Sequence, residues 1–256
     1  MEVGGGGRVV AAPAVVLPKE LLDRLAGMGV GRSGQRVLDL GTGTGSLARA
    51  FAHRGCRVTG LDVAESHLRR AQALDRAEGV FVEYVVGRAE DLEGPDARVD
   101  AVVAGNSWHR FDTEAVAAEC HRVLVPGGAL ALCHVGRLFL PGGVVSATES
   151  LMVEYSPGSS IGDGLGMYPA WATPVAGAGF VGIETFSFDV DVLFRHQDWR
   201  ALVQATDAVA GTLPADAAAA FDEELGALLD VAFPADPLVV PHRVWALVAR
   251  RGQRTG

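Results

Sequence analysis

The chain has little with which to staple or anchor itself. Cys56, Cys120 and Cys133 are its only cysteines. They are odd in number and share no C-x-x-C or Cys/His metal spacing, which speaks against a disulfide framework and for reduced, buried thiols in a reducing compartment. Positive charge is also scarce, since 22 Lys and Arg against 31 Asp and Glu leave a formal net charge of −9. That balance opposes attraction to nucleic acid or anionic lipid, both of which rest on clustered Lys and Arg. No run approaches the roughly 20 apolar residues that span a bilayer. The apolar stretch from Val9 to Leu17 has the length of a signal peptide, but it contains Pro13 and no small-residue cleavage site before a polar start. The four glycines at positions 4 to 7 read as a flexible end, and residues 1–16 are expected to be a flexible N-terminal segment. Apolar side chains are plentiful, at 49% hydrophobic against 21% charged residues, and suffice for a sizeable core. The expectation is a cytoplasmic protein, monomer or homodimer, whose partner is a small molecule and neither nucleic acid nor membrane.

From Leu17 onward helix-like and strand-like segments alternate. "LPKELLDRLAGMGV" carries Leu21, Leu22 and Leu25 at helical spacing; "RVLDL" reads as a buried strand, "SLARAFAHRG" as a helix and "RVTGLDV" as a second strand. "ESHLRRAQALDRAEG" follows as a helix, "VFVEYVV" and "VDAVVAG" as strands, "EAVAAECHRVL" as a helix and "GALALCHVG" as a fifth strand. Strands separated by helices at this spacing predict a parallel sheet covered on both faces, a doubly wound α/β core over about residues 17–135. After Gly136 the rhythm breaks, and residues 136–170 are expected to form a helical and loop insertion after strand five that covers the substrate, within a single domain of residues 17–256. "VGIETFSFDVDVLF" returns to strand alternation; the helices "QDWRALVQATDAVAGTL" and "ADAAAAFDEELGALLDVAF" and a last strand "HRVWALVARR" complete the chain.

"VLDLGTGTGSLA" joins a strand to a helix through a glycine turn, an arrangement that lets bare backbone approach a nucleotide-like ligand. The dinucleotide fingerprint G-x-G-x-x-G would need glycine where Ser46 stands, which counts against a nicotinamide-dependent oxidoreductase, the rival enzyme. Asp62 ends the second strand, where a carboxylate can accept from both hydroxyls of a ribose. At this point the sequence resembles the class I S-adenosylmethionine-dependent methyltransferases. "VLDLGTGTG", "VTGLDVAESHL", "VVGRAEDL", "VDAVVAGNSWHRFD" and "RVLVPGGALAL" are similar to that family's motifs, in order, over about residues 35–135.

The resemblance implies a Rossmann-like seven-stranded sheet with the last strand antiparallel, and S-adenosylmethionine as cofactor. It further implies that Gly41, Gly43 and Gly45 flank the methionine portion of that cofactor, that Asp39 lies near its ammonium group and that Asp62 holds the ribose. The same resemblance implies that Ala89 and Glu90 border the adenine and that Thr42, Val63 and Asn106 complete the cofactor set. Arg88 stands where many members carry an acidic residue, and a guanidinium offers no acceptor to the adenine amino group.

Methyl transfer is an in-line displacement, so a short list of aligning groups suffices. His109, just past the fourth strand, is the candidate base or orienting group, since an imidazole with an ordinary pKa of about 6.5 suits a phenol or amine. A carboxylate acceptor would be ionised already and need orientation only. Trp108, Arg110, Tyr168 and Trp171 are the candidate substrate contacts, with Met152 and Phe139 as further apolar lid residues and Arg195 and His196 as weaker contacts. The cluster looks like the small-molecule, trans-aconitate methyltransferase-like branch, whose members commonly read Trp-His-Trp-Phe where this chain has Arg110 in third place. "GSSIG" around Ser160 formally matches a nucleophile elbow, but lacks the strand before it and the helix after it. The expected activity is methyl transfer to an oxygen of a small molecule, the alternatives being the oxidoreductase and a cofactor-binding protein without methyl transfer.

Overall fold

The apolar strands and amphipathic helices of the sequence become nine α-helices and seven strands in the computed structural model, which describes residues 17–158 and 165–252. The flexible-end expectation for residues 1–16 and the Ser160 motif fall outside the described residues. The strands are β1 (Arg36–Leu40), β2 (Arg57–Asp62), β3 (Glu83–Val86), β4 (Val99–Gly105), β5 (Leu124–Arg137), β6 (Phe180–Phe194) and β7 (Leu238–Arg251). They form one sheet in the order β3-β2-β1-β4-β5-β7-β6, with β1 to β5 parallel and the last strand antiparallel. The order reverses between β1 and β4, so the carboxyl ends of these two strands flank the crevice where ligands bind in doubly wound sheets.

The helices are α1 (Lys19–Gly27), α2 (Ser46–His53), α3 (Glu65–Glu78), α4 (Thr113–Val123), α5 (Val144–Tyr155), α6 (Ala172–Gly177), α7 (His196–Gln204), α8 (Asp207–Ala210) and α9 (Ala215–Ala232). Two departures from the sequence pattern have local causes. Only four residues of "VFVEYVV" pair as β3, and Phe81 at its start stays exposed. The helix expected over "QDWRALVQATDAVAGTL" breaks into α7 and α8 because the Thr206 hydroxyl donates to the Val203 carbonyl at 2.6 Å, competing with helix propagation.

The described chain divides into two compact units, and each has its own core. Residues 17–135, 168–187 and 245–252 make the first. Alternate residues of its strands, among them Leu38, Leu40, Val102, Ala104, Leu130 and Leu132, put one face of the sheet into a core completed by Trp108, Val116, Cys120 and Val175. The Asp112 carboxylate accepts from the Ala115 N–H at 3.2 Å and so caps α4, fixing where the chain turns back after β4. Residues 136–158, 165–167 and 188–244 make the second unit. There Phe221, Leu225 and Leu229, spaced four apart on α9, pack with Met152 of α5 and Trp199 and Val203 of α7. Met152 is fully buried in this core, so it is a packing residue and not a lid.

The second core contains one polar chain, in which the Trp199 indole donates to the Thr148 hydroxyl at 3.1 Å and that hydroxyl donates to the Val144 carbonyl at 2.7 Å. Thr148→Val keeps the volume and leaves the buried indole N–H without an acceptor. It is expected to lower stability by about 1–3 kcal/mol in urea unfolding, with Thr148→Ser closer to wild type.

Candidate active site

The loop after β1 is shaped by contacts within the protein as much as by its glycines. Gly41, Gly43 and Gly45 all have positive φ, at 64°, 54° and 76°. At Gly41 a Cβ would meet the Ser107 Cβ at 2.6 Å, and at Gly45 it would collide with the Tyr84 hydroxyl and the Arg49 guanidinium. These two glycines are therefore required by packing. Gly43 differs, because a Cβ there would meet no atom within 4 Å. Its bare, left-handed backbone is the open floor of the loop, the space a bound molecule can approach.

Two carboxylates bracket that floor. Asp62, at the end of β2 and 9% exposed, accepts from the Gly43 N–H at 2.8 Å through one oxygen and from the Ala64 N–H at 2.9 Å through the other, with His67 Nδ1 at 3.4 Å. One side chain thus joins the β1 loop to the turn after β2, and each oxygen keeps a lone pair for a further donor. Asp39, one residue before the end of β1, is 1% exposed and accepts from the Thr42 hydroxyl at 2.6 Å. Burial pushes its pKa up to about 7, against the lowering effect of the Thr42 hydroxyl and the Ala48 N–H, and the nearby Asp62 charge adds to the rise. Such a group gains from a cation placed beside it.

Behind the loop, the Arg49 guanidinium on α2 donates to the Thr44 carbonyl at 2.6 Å, to Asp75 at 3.3 Å and to Glu78 at 3.1 Å. The Tyr84 hydroxyl donates to the same Asp75 oxygen at 3.1 Å, and burial, reinforced by the Asp75 charge, pushes its phenol upward. Arg49 and Asp75 are both buried, so the charges serve each other and the loop. The sequence reading missed this support; an arginine and an aspartate on the buried faces of two helices were the available signal.

The remaining expected cofactor residues lie at the same strand ends. Val63, directly after Asp62, leaves its apolar side chain 68% exposed, and Ala89 is buried after β3. Glu90 pairs with the exposed Arg88 at 3.3 Å and accepts from the Asp112 N–H at 3.3 Å. Asn106 is committed elsewhere. Its amide donates to the Val135 carbonyl and accepts from the Val135 N–H, both at 2.9 Å, holding its left-handed backbone (φ 54°) and locking β4 to β5. The Ser107 hydroxyl donates to the Leu40 carbonyl at 2.7 Å and locks β4 to β1 in the same way.

Beyond these locks a single 3-10 turn, Trp108–Arg110, carries the acceptor-side candidates. His109 and Arg110 are exposed, whereas Trp108 is fully buried, meets Phe111 edge to face at 6.3 Å, and leaves its indole N–H without a hydrogen-bond partner among the described residues. Trp108 is thus core rather than pocket wall, because the turn directs alternate sides of this short stretch inward and outward. Tyr168 is half-buried and stacks on the buried Trp171 with centroids 4.5 Å apart and planes at 21°. Arg195 pairs with Asp198, and His196 lies within 3.0 Å of the Phe233 carbonyl, so both serve the second unit internally. The structure adds His134, a buried imidazole near the end of β5 whose ring centroid is 6.1 Å from that of His109.

The family model described as "Methyltransferase domain" matches residues 38–132. The ubiquinone biosynthesis O-methyltransferase of Pseudomonas syringae pv. tomato is 39% identical over 107 residues, 41% of this chain and 46% of that protein. The malonyl-[acyl-carrier protein] O-methyltransferase of Serratia marcescens is 36% identical over 119 residues, 46% of this chain and 45% of that one. The chain therefore spans about half the length of the curated relatives it matches. Among solved structures, a putative type II methyltransferase from Anaeromyxobacter dehalogenans superposes with a TM-score of 0.66 at 22% identity, covering 95% of this chain and all of that one, which shows the shared fold. In strand order, in the open glycine loop with its acidic partner and in the methyltransferase-domain match over residues 38–132, this chain is similar to the class I S-adenosylmethionine-dependent methyltransferases.

Proposed function

We propose that the chain transfers a methyl group from S-adenosylmethionine to an oxygen atom of a small acceptor. The observation that carries this reading is the pairing of Gly43, whose backbone borders open space, with the Asp62 carboxylate across the loop. A cofactor bound there supplies an electrophilic methyl on a sulfonium. Gly43 gives its ribose and methionine portions room, Asp62 accepts from the ribose hydroxyls, and Asp39 receives the ammonium group, a role suited to a buried carboxyl with no cation of its own among its partners. Val63 offers an apolar shelf to the adenine beside Ala89 and Glu90, and the ion pair with Arg88 holds the Glu90 carboxylate in place.

The acceptor side rests on His109, with Arg110 and Tyr168 as further contacts. With a phenol acceptor, His109 would take the O–H proton and, being exposed, would return it to solvent, while S-adenosylmethionine held by Gly43, Asp62 and Asp39 would supply the electrophilic methyl to the phenol oxygen. An oxygen acceptor is supported by the two named relatives, both O-methyltransferases, over the aligned half of their length.

Calorimetry with S-adenosylmethionine, its demethylated product and NAD tests the cofactor directly. Wild type is expected to bind the first two and not NAD; Gly43→Val should abolish binding, and Asp62→Asn should weaken it by about 1.5–3 kcal/mol. NAD binding, or unchanged affinity in Gly43→Val, overturns the assignment.

Asp39 supplies a test independent of turnover. Its folded pKa of about 7 lies above the ordinary value of 3.8, so the folded state prefers the protonated form. The resulting stability is present below pH 4 and lost as pH rises to 7, on the order of 4 kcal/mol from the three-unit difference. Asp39→Asn should remove that decline relative to wild type in urea titrations at pH 4 to 8, and a parallel decline in the variant contradicts it.

With a panel of phenols and carboxylic acids, His109→Gln should lower turnover of phenols by about 10²-fold and remove the acidic limb of the kcat/KM profile. Formation of no demethylated cofactor from any acceptor, with cofactor binding intact, favours the non-transferring alternative.

A further inference from the structure

The polar network behind the glycine loop draws on three elements of the first unit, with Arg49 from α2, Asp75 from α3 and Tyr84 from β3. The side chains of Arg49 and Asp75 are only 8% and 6% exposed, so both charges have left water. Their attraction offsets that desolvation only in part, and well-packed apolar residues of similar volume commonly fold as stably. The Tyr84 hydroxyl adds a third polar group, donating to the same Asp75 oxygen as Arg49. Stability therefore gives no reason for polar residues at these positions, whereas their contacts with the loop do. The Arg49 Nη1 that faces Asp75 also donates to the Thr44 carbonyl at 2.6 Å. Thr44 lies between Gly43 and Gly45, both left-handed, so neither neighbour has a Cβ to limit rotation of the peptide planes. Tyr84 fills the space beside them. A Cβ at Gly45 would collide with its hydroxyl, and one at Gly60 of β2 would meet its ring at 2.9 Å and the Thr42 side chain at 3.0 Å.

We propose that Arg49, Asp75 and Tyr84 are positioning residues for the glycine loop, which they hold in the shape that binds the cofactor, and that the stability of the fold does not depend on them. The inference rests on the cofactor part of the methyl-transfer reading. Asp62 holds the loop from the front at the Gly43 N–H, and Arg49 holds it from behind at the Thr44 carbonyl. The two bonds fix the peptide groups on either side of the Gly43–Thr44 bond, so the open floor at Gly43 has one backbone conformation before a ligand arrives. Without the second bond, that ordering would fall at the moment of binding and weaken it. The guanidinium is suited to the task because its planar fork donates in fixed directions, to Glu78 through Nε at 3.1 Å as well as to Asp75 and Thr44. Arg49, Asp75 and Tyr84 touch no reacting atom in this scheme; they act through the loop.

The test removes the polar set as a whole, because truncating one partner would strand the other charge in the core. A variant combining Arg49→Met, Asp75→Leu and Tyr84→Phe is compared with wild type by urea unfolding, by amide hydrogen exchange and by calorimetry with S-adenosylmethionine and its demethylated product. It should unfold at a urea midpoint equal to or above that of wild type. Exchange of the Gly43 N–H should accelerate about tenfold while the amides of β1 and β4 keep their protection, and both ligands should bind about tenfold more weakly. Arg49→Lys keeps a charge beside Asp75 but lacks the planar fork, so its affinity should fall between the two. Wild-type affinity and Gly43 protection in the triple variant overturn the proposal, as does a loss of affinity that accompanies an equal loss of urea stability. Should the triple variant fail to fold, the ratio of Gly43 to β1 exchange in Arg49→Lys decides in its place: a raised ratio supports the proposal and a wild-type ratio overturns it. If Gly43 exchange accelerates in the triple variant while wild type binds no S-adenosylmethionine, the positioning of the loop stands and the cofactor reading is the one that falls.

Discussion

The Asp62 carboxylate, receiving the N–H groups of Gly43 and Ala64, is the interaction on which the site depends. A loop of glycines has no side chains with which to hold itself, and three left-handed residues in five leave many backbone conformations open. The bond from Gly43 converts that freedom into one shape by tying the loop to the neighbouring strand end. The buried Arg49 does the same from behind through the Thr44 carbonyl, and Asp75 and Glu78 keep its charge satisfied. Little reorganisation is left for the moment a ligand arrives, which is where preorganised sites gain affinity.

The carboxyl ends of β1, β4 and β5 are joined by a comparable economy of polar groups. Ser107 bonds to Leu40 and Asn106 to Val135, so two adjacent residues after β4 fasten it to both neighbouring strands. The turn that follows then has a fixed origin. Trp108 anchors it in the core while His109 and Arg110 face outward, and the aromatic column of His134, Tyr168, Trp171 and Trp245 stands beside it. The glycine loop and the turn carrying His109 are therefore built on adjacent strand ends of one sheet.

Periodic features were legible in the sequence, and contacts were not. The alternation of strands and helices, the glycine loop and Asp62 could be placed because each is a local pattern with a physical meaning. Asn106 illustrates the opposite case. Its position after the fourth strand suggested a ligand contact, yet its amide is used by a backbone 29 residues away. Trp108 shows the same limit, since no local rule says which side of a three-residue turn meets the core. His134 went unremarked because a single histidine in an apolar strand has no periodic signature; only the packing of Tyr168 against it draws attention.

By itself the sequence determined the doubly wound sheet, the position of the glycine turn between β1 and α2 and the acidic residue at the end of β2, because strand period, helix period and glycine's backbone freedom act over a few residues. Only the tertiary structure decided which glycine is open, which carboxyl has its pKa raised by burial and which imidazole is buried. Those properties depend on desolvation and on neighbours brought from distant strands, and neither exists until the chain has folded.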